Sequence, residues 1–170
     1  MPETARNRLL HDLPAVTVRT CSVSEMDNNV YLLTSKTTGA QVLIDAAAEA
    51  EAIRDLIASA ADDTPCEPRL EMIVTTHRHW DHVRALEETA QTFSPTTQAG
   101  ADDADALPLA PDVRLQHGDT VTFGDISLDV VHLRGHTPGG AALVASIDGV
   151  TNLFVGDSLF PGGLGKTTSE

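Results

Sequence analysis

Basic residues are scarce in this chain. Lysine and arginine number 11 against 25 aspartates and glutamates, a formal net charge of -14 over 170 residues. Nucleic-acid sites need basic grooves and anionic lipid surfaces repel acidic proteins, so neither partner is expected. No apolar run approaches the ~18 residues of a membrane span, and Met1 to Leu13 lack the apolar core of a signal peptide. There are only two cysteines, Cys21 and Cys66, far apart in sequence and away from any other ligand cluster. Reduced thiols in a cytoplasmic protein are the expectation. Low-complexity tracts and linkers are missing too. With 41% hydrophobic residues the chain is globular in composition rather than disordered, and residues 1–170 are expected to form one domain.

What the chain does have is histidine in one place. Three of its seven histidines lie in His77-Arg78-His79-Trp80-Asp81-His82. The apolar run Leu70 to Val74 precedes this cluster and a helix-like segment follows it. Neutral imidazole and carboxylate together suit zinc, iron or manganese. Two later segments have the same layout. Gly135-His136-Thr137-Pro138-Gly139-Gly140 is a turn-rich loop between apolar stretches, and Thr151 to Val155 reads as a strand ending in Gly156-Asp157-Ser158. Ligands at the C-terminal ends of strands are the usual placement for chemistry in mixed α and β proteins.

The spacing says how these residues can share ions. His77 and His79 are two apart, so an extended backbone points both to one side. His136 completes a three-histidine set. Asp81 and His82 turn away at the start of the next helix and could hold a second ion. Asp157 has two oxygens and could bridge both. Metal ions so held lower the pKa of a bound water to about 7 and polarise a carbonyl or phosphoryl oxygen.

Alternation predicts strands over Val16 to Val23, Val30 to Thr34 and Gln41 to Ile44, the last two forming a meander, with a turn at Met26-Asp27-Asn28-Asn29. A helix is predicted over Ala46 to Ala61, with Ile53, Leu56, Ile57 and Ala60 as its core stripe. Asp62-Asp63-Thr64-Pro65 ends it. Leu70 to Val74 is expected as a central strand, Val83 to Thr92 as a second helix, Pro95 to Gly100 as a strand and Ala101 to Ala106 as a short helix. Val113 to Leu115, Thr120 to Phe123 and Ile126 to Leu133 read as a second antiparallel set. A hairpin joins Ala141–Ile147 to Thr151–Val155 across Asp148-Gly149. The pattern predicts two mixed sheets packed face to face with helices outside.

The combination H-x-H-x-D-H, G-H-T-P-G-G and F-V-G-D-S-L-F resembles the metallo-β-lactamase-fold superfamily, and within it the glyoxalase II-like branch. The likeness runs from about Asp27 to Lys166. It implies an α+β, four-layer αβ/βα sandwich and hydrolysis by a metal-activated water on a small thioester, ester or lactone. Carried over by position, His77, His79 and His136 would ligate one zinc ion, and Asp81 and His82 a second. Asp157 would bridge, with iron or manganese as substitutes. Asp81 would also orient or deprotonate the water. In Gly163-Leu164-Gly165-Lys166, Lys166 would hold substrate, whereas Thr168 stands where that branch has a tyrosine.

The family usually adds one more histidine to the second ion, and no histidine follows His136 here. The resemblance therefore predicts a fragment whose sandwich lacks its last strand and helix. Two other readings use the same residues. One is a persulfide dioxygenase-like enzyme with a single iron on His77, His136 and Asp157. The other is a metal-binding module without turnover.

Several further signals carry less. Gly156-Asp157-Ser158-Leu159 spells a GDSL esterase word, but no Asp and His pair follows it. Gly165-Lys166-Thr167 ends like a P-loop without its earlier glycine, since Phe160 stands there. His132 is expected to pack in a strand, His117 and His11 to lie in solvated loops, and Trp80 to pack beside the site.

Overall fold

The computed structural model describes residues 7–167, so Thr168 lies outside the described residues. Among them, seven strands form one sheet in chain order. They are β1 (Arg8–Asp12), β2 (Val16–Val23), β3 (Asn28–Ser35), β4 (Ala40–Ile44), β5 (Arg69–Thr75), β6 (Thr96–Gly100) and β7 (Val113–Leu115). The first four pair antiparallel, and β4 through β7 run parallel. Parallel neighbours need crossovers. Helix α1 (Ala50–Ala58) lies between β4 and β5, and α2 (Leu86–Phe93) between β5 and β6.

The second sheet is antiparallel throughout, in the order β11-β10-β9-β8. Its strands are β8 (Thr120–Phe123), β9 (Ile126–His132), β10 (Ala141–Ile147) and β11 (Val150–Phe154). A two-residue hairpin of β12 (Leu159–Phe160) and β13 (Gly163–Leu164) follows.

The first sheet is buried on both faces, and alternation decides which residue goes where. Leu33, Val42, Ile44 and Val74 point inward and meet Phe123, Leu128, Val130, Leu143 and Phe154 of the second sheet. Their neighbours Leu32, Leu43 and Ile73 point outward and pack under Ile53 and Leu56 of α1 and Leu86 of α2. Burying one such side chain stabilises by about 2 kcal/mol. Three layers result among the described residues: helices, seven-stranded sheet, four-stranded sheet. That matches the expected sandwich short of its last helix layer.

The strands from Val16 to Ile44, the central β5 and the Asp148-Gly149 hairpin agree with the alternation pattern. Asp148 and Gly149 have φ of 51° and 78°, the pair of positive values that a tight hairpin turn demands. Four expectations are corrected. First, α1 starts at Ala50 rather than Ala46. Asp45 and Glu49 have φ of 60° and 52°, which no right-handed helix contains. The alanines between them are buried, and the carbonyls of Ala46 and Ala47 accept from Ala85 and Arg84. Second, a 3₁₀ turn over Trp80–His82 precedes α2, which therefore begins at Leu86 and not Val83. Third, Ala101 to Ala106 holds only a 3₁₀ turn, Ala104–Ala106. Fourth, β7 joins the first sheet in parallel with β6, so the second sheet is not mixed and does not include Val113 to Leu115. Strand β1 was not legible, because its five residues are largely exposed and carry little pattern.

Candidate metal centre

The site sits where four strand ends meet. Asp45 follows β4, Thr76 to His82 follow β5, and Asp157 follows β11. His136 lies on the loop between β9 and β10. That loop is tied to the β5 exit by Ala141 N donating to Thr76 O at 2.9 Å. Gly156 must be glycine for the Asp157 turn to close. Its φ is 53°, and a Cβ there would stand 2.5 Å from Thr76 Oγ1 and 3.3 Å from His77 Nδ1.

Each of three imidazoles is held from behind through Nδ1. Asp45 is the anchor for two of them. Its Oδ1 accepts from Thr76 N at 2.7 Å, and its Oδ2 accepts from Thr76 Oγ1 at 2.7 Å and lies 2.9 Å from His82 Nδ1. Thr76 Oγ1, having given its proton to Asp45, lies 3.0 Å from His77 Nδ1 and accepts from it. His136 Nδ1 is 2.8 Å from the carbonyl of Lys166, which can only accept. Protons on Nδ1 leave Nε2 as the inward-facing atom. Nε2 of His77, His82 and His136 are all buried without a hydrogen-bond partner. Unsatisfied buried nitrogens are costly unless something binds them.

Asp157 stands among them. Its Oδ2 is 3.9 Å from His77 Nε2 and 3.6 Å from His136 Nε2, and its Oδ1 is 3.2 Å from His82 Nε2. The last contact has ion-pair distance without hydrogen-bond direction. Two donors on one tetrahedral zinc stand about 3.4 Å apart, from bonds of about 2.1 Å. The observed separations bracket that value. The donor atoms of His77, His79 and His136 lie within 4.8 Å of one another, and so do those of Asp81, His82 and Asp157. Both groups could hold a divalent ion, with one oxygen of Asp157 turned to each. Asp81 is buried, and Asn28 Nδ2 fixes it by donating to its Oδ2 at 3.0 Å and its backbone carbonyl at 2.9 Å.

The electrostatics separate the histidines. Burial pushes His77 down to about 4, against the pull of Asp45, so it is neutral and ready to ligate. Burial, then His136, lowers His79. Burial would lower His82 as well, but Asp157 and Asp45 outweigh it and raise it to about 10. The contact with His82 holds Asp157 below the usual carboxylate range despite burial. A cavity of about 390 Å³ opens beside this half of the site, lined by Asn28, Tyr31, Asp45, His82, Phe154 and Asp157 among others.

The structure thus brings together His77, His79, Asp81, His82, His136 and Asp157. Lys166 reaches the site through its backbone carbonyl, and the residue is exposed to solvent. Sequence reasoning missed Asp45, Thr76 and Asn28 as supports. Only Asp45 left a trace, as a carboxylate ending an apolar strand like those before the other ligands. Trp80 does not pack into the site. It is 60% exposed, with the Arg84 guanidinium 5.2 Å from its ring centre. His132 is half-buried with Nε2 3.2 Å from Leu115 O, as a packed histidine should be, and His117 is exposed. His11 lies in strand β1 rather than a loop.

Residues 23–169 match the family model described as Metallo-beta-lactamase superfamily. A hydroxyacylglutathione hydrolase of Thermosynechococcus vestitus (strain NIES-2133 / IAM M-273 / BP-1) is 34% identical over 140 residues, covering 82% of this chain and 52% of that protein. The chain spans about half the length of the curated relatives it matches. Among solved structures, ETHE1 from Myxococcus xanthus aligns with a TM-score of 0.71 at 27% identity, over 87% of this chain and 60% of that one. TTHA1623 in a di-iron-bound form aligns with a TM-score of 0.69 at 26% identity, over 86% and 75%. A sandwich with its candidate ligands at the strand ends, the two donor groups about Asp157 and a family match over most of its length agree: this chain belongs to the metallo-beta-lactamase superfamily.

Proposed function

We propose that this protein is a metal-dependent hydrolase of glyoxalase II type acting on a small thioester, with a hydroxyacylglutathione as the first substrate class. The carrying observation is the set of three buried Nε2 atoms that lack a hydrogen-bond partner and are arranged about Asp157. Residues 1–170 are read as one domain of a cytoplasmic enzyme. His77, His79 and His136 would hold one zinc ion. Asp81 and His82 would hold the second, and Asp157 both. Bound there, the ions would acidify a water and polarise the thioester carbonyl.

The chain's own residues do the rest. Asp81, immobilised by Asn28, accepts a proton as water adds to the carbonyl carbon. The C–S bond then breaks, and the sulfur leaves as thiolate to take up a proton. Asp45 and Thr76 keep the imidazole protons on Nδ1 throughout. The exposed Lys166, whose backbone carbonyl adjoins His136, would attract an acidic part of the substrate through its ammonium.

A second reading rests on one geometric fact. His77, His136 and Asp157 by themselves form a two-histidine, one-carboxylate set of the kind iron oxygenases use. It predicts one iron per chain and oxygen uptake with glutathione persulfide. Elemental analysis of the freshly purified protein, followed by thioester hydrolysis and oxygen-uptake assays, separates the two. About two zinc equivalents with hydrolysis supports the first, and one iron with oxygen uptake the second. Metal without either turnover refutes both and leaves a binding module.

A further inference from the structure

The three-histidine group is drawn from two loops that are distant in sequence, and both loops close on a third element. Asp103 sits after β6, only 1% exposed. Its Oδ2 accepts from the backbone N–H of Arg78 at 3.1 Å and from Thr137 Oγ1 at 2.6 Å. Its Oδ1 accepts from Gly139 N at 2.9 Å and has the Arg78 Nε at 3.7 Å. Arg78 lies between His77 and His79, and Thr137 directly follows His136. One buried carboxylate therefore touches the residue adjoining every histidine of the group, without touching any of them.

The packing leaves no slack. A Cβ on Gly139 would stand 2.3 Å from Asp103 N, and one on Gly100 would stand 1.9 Å from Gly139 O. Backbone meets backbone here, so the His136 loop can approach β6 only at this register. The rings register the consequence. His79 and His136 stand 4.5 Å apart at 83°, and His77 and His136 5.0 Å apart at 68°.

We infer that Asp103 is a positioning residue that clamps the β5 exit loop to the His136 loop and so sets the spacing of the three-histidine metal group. The inference rests on the metal reading above. Charge-assisted hydrogen bonds to a buried carboxylate are strong and directional, so the clamp transmits position as well as stability. Asparagine at 103 keeps the volume but turns an N–H₂ toward groups that are already donors. Valine at 137 removes one of the carboxylate's donors, and serine restores it.

The test uses the whole chain and the metals alone. Zinc affinity is measured by chelator competition, and the visible spectrum of Co²⁺ at the site reports its geometry. Far-UV circular dichroism confirms folding. Asp103→Asn and Thr137→Val are expected to weaken the first zinc by about 10–100-fold and to shift the cobalt bands. Thr137→Ser is expected to restore both. If folded Asp103→Asn and Thr137→Val bind zinc as the wild type does, with the same cobalt spectrum, the clamp is overturned, even if both melt earlier when metal-free. Should Asp103→Asn fail to fold, the Thr137 pair decides alone. A wild-type chain that binds no metal overturns the hydrolase reading itself, and the clamp with it.

Discussion

Replacing Asp45 by asparagine is the sharpest perturbation of the site, because it keeps shape and changes only donors and acceptors. Asp45 is 3% exposed and takes three hydrogen bonds, from Thr76 N, Thr76 Oγ1 and His82 Nδ1. Asparagine can keep the first through its carbonyl oxygen. Its N–H₂ would then face the Thr76 hydroxyl and His82 Nδ1, both of which donate in the wild type. Thr76 can turn to accept, but its proton must then point at His77 Nδ1. That would move the His77 proton to Nε2, the atom that should ligate. Two lost bonds to a charged acceptor, at about 1.5–3 kcal/mol each, less what Thr76 recovers, give a net cost of about 3 kcal/mol. With an m-value of about 2 kcal/mol/M, the urea midpoint of the metal-free chain falls by about 1.5 M. Long-range ¹⁵N–¹H correlation spectra of the histidine rings read the tautomers directly. Wild type should show His77 protonated on Nδ1, and Asp45→Asn on Nε2. A variant within 1 kcal/mol of wild type, by the scale of an ordinary neutral hydrogen bond, with the same His77 tautomer, would refute the relay.

Other consequences are open to measurement. With His82 raised to about 10 in the metal-free chain, an ion binding at its Nε2 would have to displace a proton at neutral pH. Filling the second group at pH 8 should release about one proton from His82, detectable with a pH dye in weak buffer, and release of none would contradict the assignment. Since that value lies above the ordinary 6.5, the contribution of His82 to metal-free stability is complete below about pH 6.5 and is lost as pH rises through about 10. Far from the site, Asp63 binds Arg19 through two bonds of 2.6 Å and accepts from Thr17 at 2.8 Å. Burial would raise Asp63, but Arg19 and Thr17 outweigh it and hold it below the usual carboxylate range. Its contribution is present above about pH 4 and is lost as pH falls through the folded value. Asp63→Asn should therefore cost about 2 kcal/mol at pH 7 by urea melts and progressively less as pH falls below about 4, and a cost that does not fall with pH would refute it. Lys166→Ala should raise KM for an acidic thioester several-fold with kcat little changed, because it removes an exposed positive charge while the backbone carbonyl still supports His136. A fall in kcat alone would deny the ammonium a binding role.

The candidate ligands were legible in the sequence because metal chemistry restricts them to few residue types and strand ends restrict their spacing. His77, His79, Asp81 and His82 fall within six consecutive positions after a buried strand, and local geometry alone places them together. The strands of the double-sided sheet were legible too, since alternation at period two is a local property. The supports were not. Asp45, Asn28 and Asp103 are ordinary polar residues whose meaning lies in partners 31, 53 and 34 positions away. The parallel pairing of β7 with β6 and the late start of α1 depend on long-range contacts and on positive φ at Asp45 and Glu49, which no periodicity encodes. By itself the sequence determined which atoms can bind a metal. The tertiary structure decided which nitrogen of His82 and His136 faces inward, because a tautomer is chosen by the group behind the ring, and for these two that group, Asp45 Oδ2 and the Lys166 carbonyl, lies 37 and 30 positions away.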